Sequence, residues 1–434
     1  MPNPSLDRTP EGRGHERPSA PKPSWRSSYR EVMGIGEFRT VWLAHALSMI
    51  GSNLLNITTS VLVYQATDSA FAAGATLAVT FLAPFVAGPL LSGLADVLPR
   101  RRVMVACDLA RALVVVLIAV PGVPVWAVWV LLFCSVLPSI PFAAARAALL
   151  TEIVQGERYV AGTAITQLTS QVGMLFGLVV GGLAVEHVDP RLAVAATSAV
   201  FALSAVILLL GVARRAAPRA AEESRPGFLA MTRDGAALVF GDTRLRTLAL
   251  LAWLAGLYSI PYGLANPIAD EAGAGPAAAG LIMAGSPVGA LIGGFVLTRL
   301  VPPPTRIRLL GPLAVLTSVP LLLWLADPPL WLMVAALALV GMAGSYQFVA
   351  NAAFVLCVPE KGRGLAFGLV AAGLQVVQGL GILVAGFCAE FTGTGTVVTA
   401  AGALGVCSAL FLAVPWSREA GPTIERMERT EQNA

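Results

Sequence analysis

Residues 213–246 read ARRAAPRAAEESRPGFLAMTRDGAALVFGDTRLR and form a long polar stretch between two blocks of mostly apolar sequence. Apolar runs recur in both blocks, and each is long enough for a helix to cross about 30 Å of hydrocarbon. We count twelve such runs, six before the polar stretch and six after it. This pattern predicts an all-α membrane protein of two six-helix bundles joined by a polar linker.

The twelve runs are called spans 1 to 12 below. They cover 41–63, 71–95, 103–121, 124–148, 161–185, 191–212, 247–267, 277–299, 308–326, 330–356, 364–388 and 396–415. The predicted division of the chain is a disordered N-terminal tail (1–38), a first bundle (39–212), a linker (213–246) with a surface helix from Phe228 to Phe240, a second bundle (247–415) and a C-terminal tail (416–434). The tail is predicted to be disordered because it contains six prolines and no apolar periodicity.

Composition excludes a soluble protein, because only 12% of residues are charged, whereas a soluble domain carries about 25%. The formal net charge of +4 is explained by where the basic residues lie relative to the membrane. Of the 29 Lys and Arg residues, 27 lie in the two tails, the linker and alternate loops, which all fall on one side of the membrane. Cytoplasmic loops retain positive charge. Both termini and the linker are therefore predicted to be cytoplasmic, and a nucleic-acid partner is not indicated.

Nothing in the sequence indicates an enzyme, a metal site or a cofactor. The five cysteines stand singly in apolar segments, without the spacing of a disulfide framework or a zinc site. The chain contains no HExxH, no P-loop and no G-x-S-x-G elbow. A polytopic membrane enzyme is kept only as a remote alternative.

An internal repeat relates the two bundles. At an offset of about 202 residues, glycines and a closing acid of span 5 fall on those of span 11. The aligned residues are Gly162, Gly177 and Glu186 in span 5, and Gly364, Gly379 and Glu390 in span 11. The two bundles are therefore predicted to be pseudo-symmetric, an arrangement in which substrates bind between the halves.

The loop after span 2 carries a charged motif, SGLADVLPRR, at residues 92–101. It resembles the major facilitator superfamily pattern G-x-L-A-D-R-x-G-R-K between spans 2 and 3. Leu94, Ala95, Asp96, Arg100 and Arg101 fit that pattern, whereas Ser92, Val97 and Pro99 depart from it. The resemblance covers about Phe38 to Trp416 and implies twelve spans in two bundles with a gate at this loop.

Other motifs resemble the branch of drug and siderophore exporters related to macrolide-efflux and enterobactin-export proteins. They are Trp42, Leu43, Ser48 and Gly51 followed by LVYQATDSA, then RRRVMVACDLARA, then LRTL at the start of span 7. The glycines of span 5 also fit an exporter pattern, G-x-x-x-G-P-x-x-G-G, with Leu178 in place of its proline. These glycines are Gly173, Gly177, Gly181 and Gly182, and they permit close helix packing. Ordinary transmembrane packing is an equally open reading.

By this resemblance, Asp96 pairs with arginines or with the N-terminus of span 11 when the cytoplasmic side is closed, and releases them on opening. Asp108 and Arg111 are three residues apart and are expected to pair with each other or with the arginine loop. The predicted gate residues are Asp96, Arg100, Arg101, Asp108, Arg111 and Arg146. Alternatively, the arginines only enforce topology, and Arg146 is a simple positive-inside anchor.

No Asp or Glu falls near the centre of any span, and Ser52 stands where related exporters often carry an acid. The titratable candidates for proton coupling that remain are Asp96, Asp108, Glu186, Glu390 and His45. His45 and Asp108 are the predicted coupling residues, with a hydrogen bond to a neighbour as the alternative role of His45. Neutral polar and aromatic side chains are expected to line the substrate cavity. They are Asn53, Asn56, Gln167, Gln171, Tyr258, Tyr262, Asn266, Gln347, Asn351, Gln375 and Gln378. Such a cavity suits a bulky, uncharged or weakly cationic amphiphile.

The sequence thus predicts a secondary active transporter that exports amphiphilic small molecules, such as drugs, antibiotics or siderophores, by alternating access. Proton antiport is what the resemblance implies, as is a role in multidrug resistance. An importer or a lipid flippase with the same fold is the alternative. Arginine outnumbers lysine 27 to 2, which indicates a high-GC bacterial source and hence an inner (plasma) membrane, and we expect a monomer.

Overall fold

The computed structural model describes residues 25–91, 97–155, 157–215, 228–359 and 362–432. Within these ranges the chain is almost entirely helical and contains no strand. Asp96, on which the predicted gate depends, lies outside the described residues.

The described part of the N-terminal half contains eight helices. They are α1 (Trp25–Gly34), α2 (Gly36–Thr67), α3 (Ala70–Leu91), α4 (Arg100–Ala119), α5 (Val125–Val136), α6 (Ser139–Ile153), α7 (Glu157–His187) and α8 (Pro190–Gly211). Here α2, α3, α4, α7 and α8 form spans 1, 2, 3, 5 and 6, and α5 and α6 together form span 4.

The C-terminal half is more broken. Its helices are α9 (Phe228–Gly241), α10 (Thr243–Trp253), α11 (Ala255–Tyr258), α12 (Ile260–Gly263), α13 (Ala265–Glu271), α14 (Pro276–Leu300), α15 (Pro303–Arg308), α16 (Leu310–Leu316), a 3-10 helix (Val319–Ala326), α17 (Leu330–Gly344), α18 (Tyr346–Cys357), α19 (Arg363–Thr392) and α20 (Thr394–Gln432). The segments from α10 to α13 form span 7, α14 forms span 8, and α16 with the 3-10 helix forms span 9. The pair α17 and α18 forms span 10, and α19 and α20 form spans 11 and 12.

Every predicted span is thus occupied by helix, which confirms the fold class. Eight helices in the described residues are long and apolar enough to cross a membrane, and span 7 is a ninth with a 45° bend between Gly263 and Ala265. Spans 2 and 9 appear as shorter apolar helices, Ala70–Val86 and Leu310–Ala326. Span 3 is not among the eight because it carries five charged residues in twenty.

The prediction of a disordered tail over 1–38 was wrong for residues 25–38. Helix α1 covers Trp25–Gly34, and Val32 and Phe38 are fully buried against Leu150, Val154 and their neighbours. A few apolar side chains on one face are enough to dock this short helix, although they are too few to produce a periodic signal in the sequence. Residues 1–24 lie outside the described residues.

Two faces of the molecule are used below. The terminal face contains the starts of spans 1 and 3 and the end of span 6, marked by Gly36, Arg100 and Arg215. The loop face is the opposite one, marked by Thr67 and His187. Span 2 packs on span 11, and span 5 packs on span 8, so these two helix pairs join the halves.

The buried apolar residues form separate clusters, and these clusters follow the division of the molecule into two halves and two faces. Separate clusters lie inside the N-terminal half and inside the terminal-face part of the C-terminal half. A further cluster includes residues of both halves, among them Ile57 and Leu178 from the first and Leu264, Ile282 and Ala385 from the second. All five belong to the half of their span nearer the loop face, so the core that the halves share in the described part of the chain lies towards that face.

Candidate transport pathway

The two halves are hydrogen-bonded to each other at the loop face. The amide Nδ2 of Asn266 donates to Ser60 Oγ at 2.6 Å, and the Tyr64 hydroxyl donates to Asp270 Oδ2 at 3.1 Å. Each pair joins span 1 to span 7 across 206 positions of sequence, close to the offset of the internal repeat. These bonds therefore link equivalent positions around the pseudo-two-fold axis.

Glycines bring the helices of the two halves into contact near the same face. A Cβ added to Gly182 of span 5 would lie 3.0 Å from the Cα of Gly280 in span 8. A Cβ on Gly74 of span 2 would lie 3.3 Å from the carbonyl oxygen of Ile382 in span 11. These distances leave little space for any side chain, so the loop face is tightly closed.

Spans 2 and 11 are apart at the terminal face. Among the described residues, no atom lies within 4 Å of a Cβ added to Gly88 in span 2 or to Gly364 or Gly368 in span 11. In the described part of the chain, spans 2 and 11 are therefore in contact towards the loop face and apart towards the terminal face.

A cleft of about 270 Å³ lies in the C-terminal half, between spans 7, 10 and 11. Two predicted cavity residues, Gln347 and Asn351, supply amides to it, and Phe348 and Phe367 supply aromatic rings. Gln347 donates from Nε2 to the Tyr258 hydroxyl and to the carbonyl of Ala252. None of the described side chains that line the cleft is charged.

The other predicted cavity residues lie in three kinds of place. Asn266 and Tyr262 are in the closed loop-face interface, where Asn266 is 5% exposed and Tyr262 stacks edge-on against Phe81 of the opposite half. Asn53 donates to the carbonyl of Met49 in its own helix. The remaining five predicted cavity residues are exposed or partly buried: Asn56, Gln167, Gln171, Gln375 and Gln378.

Asp108 and Arg111 form a buried ion pair inside the N-terminal half. Arg111 Nη1 lies 3.9 Å from Asp108 Oδ1, and the two side chains are 4% and 0% exposed. Asp108 Oδ2 lies 2.5 Å from Ser204 Oγ of span 6. A charge pair at this depth is tolerated because each member has further polar partners.

Arg111 is also bound by span 1. Its Nη1 donates to Ser48 Oγ at 2.7 Å and its Nη2 donates to Ser52 Oγ at 2.6 Å. Its guanidinium carbon lies 4.0 Å from the centre of the Phe201 ring, in cation–π geometry. In this conformation the pair therefore links spans 1, 3 and 6 of one half and does not reach the other. Its role in gating remains a prediction.

The serines and Phe201 around Arg111 have no motif that identifies them in the sequence. Ser48 and Ser52 are four residues apart and so share one helix face, which is the one signal that they meet a common partner. Ser48 was singled out only as part of a family pattern. Ser204 and Phe201 look like ordinary residues of an apolar span.

His45 and Arg146 lie in the terminal-face part of the N-terminal half. His45 is buried and its Nε2 is 2.9 Å from Ser170 Oγ in span 5. Neither His45 Nδ1 nor Arg146 Nε has a hydrogen-bond partner in the described part of the chain. Their roles in coupling and gating stay predictions.

The terminal-face arginines pair within their own half. Arg100 binds Glu152 and donates to the carbonyl of Ala148 at 3.0 Å. Arg215, just after span 6, binds Glu37 at the start of span 1 and lies 3.4 Å from Glu152. Arg101 donates to the carbonyl of Leu209. The described partners of Arg100 and Arg101 thus leave the terminal-face mouth unbridged in this conformation.

The predicted glycine stripe of span 5 faces span 1. A Cβ on Gly177 would lie 2.8 Å from Asn53 Cβ, and one on Gly181 would lie 2.2 Å from Ile57 Cγ2. Gly173 approaches Met49 in the same way, at 3.2 Å. Gly182 is turned instead towards the opposite half, as described above.

A family model described as Major Facilitator Superfamily matches residues 41–265 and 248–432. A curated relative, "Uncharacterized MFS-type transporter YjbB" of Bacillus subtilis (strain 168), is 29% identical over 167 residues. That match covers 37% of this chain and 41% of the relative, so the chain spans about two fifths of the relative's length.

Solved transporters have the same fold at low sequence identity. The nucleoside transporter NupG superposes with a TM-score of 0.65 at 16% identity, over 88% of this chain and 98% of its own. A POT family transporter in complex with 5-aminolevulinic acid gives 0.69 at 11% identity, over 89% and 96%. A bacterial homolog of the human lysosomal transporter Spinster, in an inward-facing and unoccupied conformation, gives 0.60 at 15% identity, over 93% and 97%.

The family model matches both halves, and the structure shows six spans on each side of a linker, with the halves in contact through spans 2 and 11 and spans 5 and 8. These observations agree with the charged motif after span 2 and with the internal repeat. The chain belongs to the Major Facilitator Superfamily.

Proposed function

We propose that this transporter exports amphiphilic small molecules, of the drug, antibiotic or siderophore type, by alternating access and proton antiport. One observation carries the proposal: among the described residues, spans 2 and 11 of the two halves touch towards the loop face and leave open space at the terminal face, which is also the face with 27 of the 29 basic residues. By the positive-inside rule this face is cytoplasmic. The described conformation would therefore load substrate from the cytoplasm of a bacterial cell or from the inner leaflet of its plasma membrane.

The chemistry of the cleft supports an amphiphilic substrate. Amides of Gln347 and Asn351 provide hydrogen bonds, while Phe348 and Phe367 provide broad apolar contact. A buried carboxylate or phosphate of a substrate would require a cationic partner, and none of the described residues that line this cleft is charged. A neutral or weakly cationic aromatic compound is the best fit.

Proton antiport rests on two titratable groups in the N-terminal half. Asp108 is the acid buried inside a span, and His45 is buried closer to the terminal face with one ring nitrogen unpartnered among the described residues. Proton binding at either position would change hydrogen bonds to neighbouring spans, to Ser204 in span 6 or to Ser170 in span 5. Such a change is the kind of event that biases a two-state equilibrium.

The direction of transport is tested in inverted membrane vesicles with rhodamine 6G as the probe. Acidifying the vesicle interior should drive accumulation of the dye, and dissipating the proton gradient with nigericin should abolish it. Empty-vector vesicles and the Asp108→Asn variant serve as controls. Absence of accumulation here, together with uptake of a solute by whole cells that express the chain, would show that the transporter is an importer.

The predicted gate is tested in a drug-sensitive host. We expect Asp96→Asn to lower resistance relative to wild type, because it removes the charge proposed to face span 11 when the terminal face closes. Asp68→Asn, an acidic position at the loop-face end of span 1, is the matched control. Equal resistance in the wild type and the Asp96→Asn variant would exclude the gate.

A further inference from the structure

Glu186 and Glu390 occupy equivalent positions in the two halves. Each lies at the loop-face end of its span, Glu186 in span 5 and Glu390 in span 11, and they are 204 positions apart. This separation is close to the 206 positions between the hydrogen-bonded residues of spans 1 and 7. The two acids are therefore related by the pseudo-two-fold axis.

Each acid binds the first turn of a helix in the opposite half. Glu390 Oε1 accepts from the backbone N–H of Phe71 at 2.8 Å and from Ser69 Oγ at 2.5 Å, at the start of span 2. Glu186 Oε2 accepts from the backbone N–H of Ala277 at 3.2 Å, at the start of span 8. Phe71 and Ala277 are themselves 206 positions apart, so the two contacts are symmetric copies.

This placement of the two carboxylates is energetically favourable. The first N–H groups of a helix have no partner within the helix and carry partial positive charge, so a carboxylate placed there is stabilised. Because carboxylate and helix belong to different halves, both bonds must break when the loop face opens. The hydrogen bonds therefore favour the conformation that the structure shows.

We propose that Glu186 and Glu390 form a two-point clasp that holds the loop face shut and sets the balance between the two conformations. One point lies on the pair of spans 5 and 8, the other on the pair of spans 2 and 11, which are the two helix pairs that join the halves. A clasp at one pair alone would leave the halves able to hinge about it. The inference rests on alternating access as proposed above, but not on the direction of transport or on the substrate.

The chain contains a matched control. Glu271 accepts from the backbone N–H of Thr394 at 3.2 Å and from the Thr394 hydroxyl, at the start of span 12. The chemistry is that of Glu390 with Ser69 and Phe71. Both partners lie in the C-terminal half, however, so this bond does not need to break when the halves move apart.

The test measures the distance between spin labels on the full chain in lipid nanodiscs without substrate. The labels replace Val188 and Phe391, which are exposed on the loop face of opposite halves, in a background whose five cysteines are changed to alanine. We expect Glu186→Ala or Glu390→Ala to raise the ratio of long to short distances about threefold, and the double variant to raise it about tenfold. The Glu271→Ala variant should keep the wild-type distribution.

A second double variant, Glu186→Gln with Glu390→Gln, is milder because it keeps the side-chain volume and an acceptor oxygen. We expect it to shift the distance distribution by an intermediate amount. A wild-type distribution in both double variants would overturn the clasp, as would an equal shift in Glu271→Ala. Dye export measured on the same proteins separates the two proposals. A shifted distribution in a protein that exports no dye would contradict the proposed substrate or direction and leave the clasp standing.

Discussion

The contacts at the loop face and those at the terminal face differ in which parts of the molecule they join. Ser60 with Asn266 and Tyr64 with Asp270 connect one half to the other. At the terminal face, Arg215 with Glu37 and Arg244 with Glu419 connect helices of the same half. Contacts of the first kind must break in a rocking motion, whereas contacts of the second kind move with their half as a unit. The difference indicates which bonds set the conformational balance and which set the stability of each half.

The largest expected effect is a loss of stability when the buried ion pair within the N-terminal half is broken. Arg111→Ala leaves Asp108 buried without its cation, and removal of one partner of a buried pair costs about 3–5 kcal/mol. We expect a large drop in the unfolding temperature, which is measured by tryptophan fluorescence in detergent. The double variant Asp108→Asn with Arg111→Gln removes both charges and should recover much of the loss. If the single variant instead kept its stability, the pair would not support the N-terminal half.

A substitution between the halves should act on the conformational balance. Gly280→Leu places a side chain where a Cβ already lies 2.9 Å from the Leu178 carbonyl oxygen and 3.0 Å from Gly182 Cα. Overpacking of this kind costs about 1–3 kcal/mol, which corresponds to about five- to a hundredfold in the equilibrium. We expect the loop face to open and dye export to fall by about tenfold or more, with little change in the unfolding temperature.

Gly368→Leu is the opposite case, since no atom of the described residues lies within 4 Å of a Cβ added there. This variant should keep the loop face closed and instead hinder closure of the terminal face. Opening of the loop face in both variants would contradict the assignment of the interface.

Truncation of a cleft residue should have a smaller effect, confined to substrate binding. Gln347→Ala removes the amide that reaches Tyr258 and Ala252 and faces the cleft. Loss of one hydrogen bond is worth about 1 kcal/mol, so the KM for rhodamine 6G should rise about fivefold at unchanged stability. Gln155→Ala, an exposed amide outside the spans, is the control. An unchanged KM would show that the dye binds elsewhere in the cavity.

The smallest effect is expected at an exposed ion pair of the terminal face. Arg158 Nε lies 2.9 Å from Glu31 Oε2, and the two side chains are 56% and 49% exposed. Such pairs contribute about 0–1 kcal/mol and are screened by salt. Arg158→Ala should therefore leave both the distance distributions and dye export within about a factor of two of wild type. A large shift in either would mean that helix α1 takes part in the motion.

The sequence predicts features that depend on periodicity and misses those that depend on single contacts. Long apolar runs give the spans, and the repeat places Glu186 and Glu390 as equivalents. The partners of Arg111 are not predicted, because a lone serine in an apolar helix leaves no pattern. Asn266 illustrates a further limit, since it was assigned to the cavity and is buried between the halves in the closed loop face. A residue near the pathway has different neighbours in the two conformations of a transporter. The same sequence specifies both conformations, so it does not indicate which set of neighbours a given structure will show.

The most direct test of the central claim compares spans 5 and 8 at the terminal face with spans 5 and 11 at the loop face. Spin labels at Tyr159 and Leu300 report the terminal face, and labels at Val188 and Phe391 report the loop face. On addition of rhodamine 6G at acidic pH, the first distance should shorten while the second lengthens. If both distances lengthened together, or if neither changed while dye was exported, the halves would not alternate about the closed loop face that the structure shows.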